Sequence, residues 1–346
     1  MTIVEAARGV TGGVDTHLDV HVAAVLDPVG GLLGSKSFET TPAGYKALLA
    51  WLEGFGTVTK VGVEGTGSYG AGLSKFLRRA EVEVIEVDRP NRAERRRSGK
   101  SDTVDAVEAA RAALGGRATG ISKSKDGGVE AIRVLVVAKR SARQARVKAL
   151  TQMRHLVVTA PDQLRCRLRG RSVTALIGTA AGLRPSRSAD RVEVAHKVAL
   201  CSLAHRVQSL EKEIDELDEK ITILLEMVAP ELLALFGVGP DTAAALLVAA
   251  GDNPERLHSE AAWAHLCGVS PLQASSGKVT RHRLDRGGDR NANSALWRIV
   301  MVRIAHDPQT TAYFERKVKE GRSKPDVIRL LKRYVAREIY HHLPRG

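Results

Sequence analysis

The chain has 346 residues, 43% of them apolar and 27% charged, which is enough for two or three domains with their own cores and excludes wholesale disorder. Lys and Arg outnumber Asp and Glu by 53 to 39, a net charge of +14 that points to a polyanionic partner, although a ribosomal or chromatin-type binder has the same balance. Three distant cysteines, Cys166, Cys201 and Cys267, fit no zinc or redox spacing and read as reduced packing residues, and with no apolar run near the ~20 residues of a membrane span a cytoplasmic protein is expected.

From Gly12 to about Leu114, short β-branched runs alternate with amphipathic stretches, as in α/β layer structures. Val14 to Leu26 predicts a strand or two, Pro28 to Gly31 a turn, and Leu32 to Glu39 a returning strand. Thr41 is placed to cap a helix that starts at Pro42 and runs through Tyr45, Leu48, Leu49 and Leu52. Lys60 to Glu64 reads as a short buried strand, Ala71 to Arg79 as a helix, Val82 to Val87 as a final strand, and Asp102 opens a helix to Leu114. A three-strand meander followed by alternating helices and strands is the order of ribonuclease H-like folds, and residues 10–116 are assigned to one.

Gly115 and Gly116 close this domain, and Thr119 to Gly128 reads as a linker. Residues 117–229 form a basic helical and coiled-coil region: between Arg117 and Arg171 fourteen Lys or Arg face only Asp126, Glu130 and Asp162. Ile132, Leu135, Val136, Leu150, Met153 and Val157 recur near helical spacing, with Lys139, Arg143 and Arg146 on another face that can meet phosphate. Leu200, Leu203, Val207, Leu210, Ile214, Leu217, Ile221, Leu224 and Val228 form a heptad seam of about four repeats, so this helix either packs inside its own domain or pairs with another helix, including one from a second copy. After Pro230, residues 230–346 are helical again. Gly237 and Gly239 lie in a turn before a small-residue helix, the pattern of a helix-hairpin-helix whose amides can face a DNA phosphate, or of a purely structural turn.

Four carboxylates stand out. Asp15 lies in a strand that a central sheet position would bury, which is costly unless the charge is paired or binds a cation. Glu64 ends the next buried strand before Gly65-Thr66-Gly67, and Asp102 and Asp105 are three apart on one face of a helix start, where they also suit a simple cap with Ser101. Their order, strand-one Asp, strand-end Glu, then two helical Asp, favours a hard-cation site for Mg²⁺ or Mn²⁺. Arg92, Arg95, Arg96, Arg97 and Lys100 precede that helix and read as a phosphate clamp rather than a merely solvated face. In the last domain Ser276 sits before Gly277 in a basic loop with Lys278, Arg281 and Arg283, either as a flexible turn or as a nucleophile that needs an activating base or metal.

These stretches resemble the transposases of insertion sequence family 110, the DEDD transposases that act as RNA-guided recombinases. The resemblance rests on Gly13-Val14-Asp15-Thr16-His17, Val63-Glu64-Gly65-Thr66-Gly67 and Gly99-Lys100-Ser101-Asp102-Thr103-Val104-Asp105-Ala106 in the first domain. In the last it rests on Gly237-Val238-Gly239-Pro240, Gly268-Val269-Ser270-Pro271, Ser276-Gly277 and Gly287-Gly288-Asp289-Arg290-Asn291. It implies a RuvC-like domain holding metal at Asp15, Glu64, Asp102 and Asp105, and a C-terminal domain whose nucleophile is Ser276, with Ser275 the close rival. It further implies attack on DNA through a covalent phosphoserine, donor and target DNA as substrates, a structured noncoding guide RNA, and a dimer or dimer of dimers. Two other readings remain open: a RuvC-like nuclease that uses water, and a non-enzymatic nucleic-acid binder.

Overall fold

The computed structural model describes residues 9–87, 101–184, 190–253, 256–277, 279 and 282–344. They fall into two compact units. The first runs to Gly127 and takes in Ala250–His258; the second comprises Gly128–Ala249 and Ser259–Pro344. The middle and last regions, separated at residue 229 in the sequence, thus belong to one unit.

In the first unit β1 (Gly9–Thr16), β2 (Val20–Leu26) and β3 (Leu32–Glu39) form the expected antiparallel meander. Then come α1 (Pro42–Glu53), β4 (Thr57–Glu64), α2 (Ala71–Arg79), β5 (Glu83–Val87), α3 (Asp102–Leu114) and β6 (Gly120–Ile121). The sheet order is β3-β2-β1-β4-β5-β6, with β4 parallel to β1 and β5 and β6 antiparallel at the edge. This mixed sheet with helices agrees with the ribonuclease H-like expectation. Thr41 caps α1 by accepting the Gly44 amide at 3.1 Å, and Leu48, Leu49 and Leu52 then bury against Val10, Val14, Val61 and Val63.

The opposite face of the sheet is built differently. Gly13 of β1 and Gly62 of β4 leave no side chain under α3. A Cβ on Gly13 would lie 2.2 Å from the Ala110 amide nitrogen, and one on Gly62 2.4 Å from the Ala109 carbonyl oxygen. Ala106, Ala109, Ala110 and Ala113 supply the matching flat stripe on α3, all of them buried. Helix and strand backbones therefore meet directly, a contact that only glycine permits.

One expectation for this unit fails. The stretch from Thr119 to Gly128, read as a linker, begins with the edge strand β6, which pairs with Ile85 and Glu86 of β5. Its flank is held by the returning segment: Asn253 accepts from the Ser124 amide at 3.0 Å and donates to the Ser122 carbonyl at 3.1 Å, and Arg256 donates to the Ile121 carbonyl at 3.0 Å. Two residues of strand, with Ser124 beyond them bonded to a residue 129 positions away, give no local periodic signal.

The second unit is helical, with α4 (Gly128–Thr159), α5 (Asp162–Leu168), α6 (Val173–Ala181) and α7 (Arg191–Val228) first. After them come α8 (Pro230–Leu233), α9 (Pro240–Ala250), α10 (Glu260–Leu266), the short strands β7 (Leu272–Gln273) and β8 (His282–Arg283), then α11 (Arg290–His306), α12 (Pro308–Lys319) and α13 (Lys324–His341). The seam on the 38-residue α7 packs along α4 of the same chain. Leu200, Val207 and Ile221 are buried at multiples of seven, while Leu203, Leu210, Leu217 and Leu224 are half-buried. The glycine turn is preceded by the four-residue α8 and followed by α9. Gly237 is left-handed at φ +80°, and the Gly239 amide is taken up by the Thr242 hydroxyl at 3.0 Å. Of the cysteines, only Cys267 is fully buried; Cys166 is exposed. Among the described residues no helix is long and apolar enough to cross a membrane.

Gly62→Ala tests the contact between α3 and the sheet. The added methyl has no room to relax against backbone and should cost about 1–3 kcal/mol in denaturant unfolding. An unchanged midpoint would mean that the helix does not rest on the strand.

Candidate functional site

Asp15 is the penultimate residue of β1 and Glu64 the last of β4, neighbouring parallel strands whose register places Val14 beside Val63. Both strands end on the same edge, where α/β sheets offer their C-terminal ends to ligands. Because α3 lies flat on Gly13 and Gly62, its first turn, with Asp102 and Asp105, sits at that edge. Ser101 occupies the N-cap position but makes no side-chain cap bond, so the simple capping reading of this turn loses its serine.

The closest group is Asp15, His17 and Asp102, whose ligating atoms all lie within 4.8 Å of one another. His17 Nε2 is 3.0 Å from Asp15 Oδ2 and 3.6 Å from Asp102 Oδ1. Asp15 is 7% exposed and Asp105 8%. Burial pushes the Asp15 carboxyl above its ordinary range; His17 opposes this, and the like charges of Asp105 and Asp102 add to it. Glu64 does not join the closest group. It is buried and, with Asp105, lines an adjoining cleft of about 470 Å³ that also takes in Glu108, Arg117 and Arg256.

The residues around Glu64 fix this edge. The Thr16 hydroxyl donates to the Glu64 carbonyl at 2.8 Å, tying the two strand ends together. Gly65 follows at φ +70°, a conformation that favours glycine, and Thr66 donates to Glu86 at 2.5 Å. Hard carboxylate oxygens with one imidazole make a donor set that fits a divalent cation, and an ion there would offset the burial and repulsion that disfavour ionised Asp15. His17 was missed as a donor in the sequence. It lies one residue past the end of β1, where strand alternation gives no signal.

Ser276 is at the tip of a hairpin in the second unit. β7 and β8 pair through Leu272 with Arg283 and Gln273 with His282, and Ser276 and Val279 exchange backbone hydrogen bonds of 3.1 Å each. Gly277, at φ +57°, turns the chain, and Ser276 is exposed. Among the described residues nothing is hydrogen-bonded to its hydroxyl. Of the other expected contacts with nucleic acid, Arg283 is exposed, while Arg92, Arg95, Arg96, Arg97, Lys100, Lys278 and Arg281 lie outside the described residues.

Lys139 departs from expectation. It is 4% exposed, with its ammonium between Asp218 and Asp241, so its charge is spent inside the unit. Burial alone would raise Asp241, but Lys139 and Arg143 hold its carboxyl below the usual range. Arg143 also bonds Asp241 at 3.0 Å, and Arg146 pairs with Glu211 at 2.5 Å. Periodicity placed these cations off the apolar stripe but could not see acids arriving from α7 and α9.

Residues 12–160 match the DEDD-type IS110 transposase family model, and residues 229–315 match the model of the IS116/IS110/IS902 transposase family. The chain belongs to the IS110 transposase family. The first match spans Asp15, Glu64, Asp102 and Asp105, and the second spans Ser276. An uncharacterized 43.6 kDa protein of insertion element IS110 from Streptomyces coelicolor is 29% identical over 139 residues, 39% of this chain and 34% of that protein. An uncharacterized 42 kDa protein of insertion element IS900 from Mycobacterium paratuberculosis is 28% identical over 134 residues, 38% of this chain and 34% of that protein. Each alignment spans about a third of the relative's length.

Two variants separate charge roles from packing roles. Since the folded-state pKa of Asp15 is raised, its stabilising share is complete below the unfolded value near 3.9 and is lost as pH rises through the folded value. Asp15→Asn should therefore raise the melting temperature of metal-free protein at pH 7, leave it unchanged below pH ~4, and abolish the further rise given by Mg²⁺ or Mn²⁺. A metal-induced rise that survives in this variant would remove Asp15 from the site. Lys139→Ala should cost about 1–3 kcal/mol, less than a fully buried pair because both carboxylates keep solvent access, with DNA affinity per folded molecule unchanged. Weaker DNA binding at full stability would restore Lys139 as a phosphate contact.

Proposed function

We propose that the chain cuts and rejoins DNA strands as a transposase, with Asp15, Glu64, Asp102 and Asp105, joined by His17, holding Mg²⁺ or Mn²⁺, and Ser276 as the nucleophile. The observation that carries this is the convergence of carboxylates from β1, β4 and the first turn of α3 on one sheet edge. When bound there, a divalent cation supplies Lewis-acid stabilisation of charge on phosphate oxygens. Asp15 and Asp102 orient that charge, and the Thr16 bond keeps the Glu64 strand end in register.

At the hairpin tip the Ser276 hydroxyl attacks a DNA phosphorus, and its proton ends on the departing sugar oxygen. The Oγ–P bond forms as the P–O bond to one deoxyribose breaks, leaving a phosphoserine and a free sugar hydroxyl. Attack by a second strand's hydroxyl on the phosphoserine reverses the chemistry and joins new ends, conserving the number of phosphodiesters. The exposed cations Lys148, Arg154 and Arg169, which pair with no acid among the described residues, support a structured noncoding RNA as guide, paired with donor and target DNA. The half-buried leucine row of α7 supports association of copies as a dimer or dimer of dimers.

One observation favours the nuclease reading, in which the same acids act with water: no base adjoins the Ser276 hydroxyl among the described residues. Ser276→Ala and Asp102→Asn divide the readings when the protein is incubated with DNA carrying the element ends and its flanking segment, then run on a denaturing gel. Strand transfer through serine requires a covalent protein–DNA adduct that Ser276→Ala abolishes and Asp102→Asn reduces by 10²-fold or more. Undiminished cutting by Ser276→Ala would establish the nuclease, and undiminished strand exchange by Asp102→Asn would overturn the metal site.

A further inference from the structure

A second basic site lies in the C-terminal unit, below the serine hairpin. A cavity of about 620 Å³ opens between the Gly268–Pro271 turn, the His282–Arg286 stretch leaving β8, and the start of α13. Its floor is rigid. Asn293 of α11 donates to the Cys267 and Gly268 carbonyls at 2.8 and 3.1 Å and accepts from Lys332 of α13 at 2.8 Å. Gly268 and Gly288 touch backbone to backbone: a Cβ on Gly288 would lie 2.2 Å from the Gly268 nitrogen.

The charges in the cavity are not balanced. Arg329 is paired with Asp326 and Arg333 with Glu260, and the lining Asp285 carboxylate lies 2.9 Å from His265 Nδ1. Arg283, Arg286, Arg322 and Lys332 also line it, and among the described residues none of these four has a carboxylate within ion-pair distance. Elsewhere in the unit Lys139, Arg143, Arg146 and Arg303 are each spent on an acid. Burial and the neighbouring Arg329 also push the Lys332 ammonium below its ordinary range. Guanidinium groups in that number around a concave floor suit phosphate oxygens.

The hairpin sets the distance. Gln273 pairs with His282, which lines the cavity, and Ser276 is three residues beyond Gln273, at most ~10 Å of extended chain, so the cavity lies close to the phosphate that Ser276 attacks. At ~3.4 Å of rise per nucleotide it reaches phosphates within about three nucleotides along the same strand. We propose that the cavity seats phosphodiesters of the DNA strand flanking the bond presented to Ser276, and that Arg286 and Arg322 are positioning residues fixing which phosphate meets the serine. This rests on the reading of Ser276 as nucleophile.

The test is binding of the full chain to a duplex carrying the element end across a salt series, with the phosphate joined to protein mapped on the same duplex. Arg286→Gln with Arg322→Gln should reduce the slope of log affinity against log salt by about 1.8, or about 0.9 for either alone, and spread the adduct from one phosphate to its neighbours. Lys212→Gln, which removes a cation paired with Glu216 on α7, should change neither. An unchanged slope in a double variant that melts like the parent overturns the proposal, as does a slope lost on single-stranded RNA of equal length and kept on the duplex. If the parent forms no adduct while the slope still falls, the phosphate seat stands and the serine assignment fails.

Discussion

At Gly13 and Gly62 the backbone of α3 lies against the backbones of β1 and β4 with no side chain between them. The approach of that helix decides where its first turn ends, and the first turn carries two of the four acids. Larger residues at either glycine would lift the helix and draw Asp102 and Asp105 away from the strand ends. The alanines of α3 therefore serve the site although none of them touches it. Burial at this edge, with a smaller contribution from the like charges of Asp105 and Asp102, opposes ionisation of Asp15 and raises its pKa. The packing of the unit thus stores an electrostatic demand that a doubly charged ion can meet.

Much of the first unit was legible because its elements announce themselves locally. Alternating β-branched runs marked the strands, Thr41 and Pro42 marked the start of α1, and the order of Asp15, Glu64, Asp102 and Asp105 along the chain suggested one site. What escaped were relations set by tertiary contact. His17 stands two residues after Asp15, just past the end of β1, where strand alternation no longer guides a reader. The β6 strand is two residues long and takes its partners from β5 and from the distant Arg256, with Asn253 holding the residues just after it. The α7 seam was visible as a heptad pattern, but its partner α4 could be found only in three dimensions.

Charge shows the same division. The sequence counts 53 cations against 39 acids, yet a count cannot say which of them face one another. Lys139 and Arg146, which look like an outward basic face, are consumed by acids of α7 and α9. Around the Gly268–Pro271 turn and the start of α13, by contrast, Arg283, Arg286, Arg322 and Lys332 have no carboxylate within ion-pair distance among the described residues. A strongly basic protein can spend many of its charges on its own cohesion, so a polyanion is read by the few cations the fold leaves over.

The segment Ala250–His258 returns to the first unit after more than a hundred residues devoted to the second. Asn253 and Arg256 bond the carbonyls of Ile121 and Ser122 that flank the edge strand. During vectorial synthesis the N-terminal sheet therefore emerges with that margin unsealed, and it closes only after the long helices α4 and α7 have left the ribosome. Domains generally fold as units in order of emergence. Here the ordering is broken, and the first unit stays open to solvent and to chaperones until the chain is nearly three-quarters made.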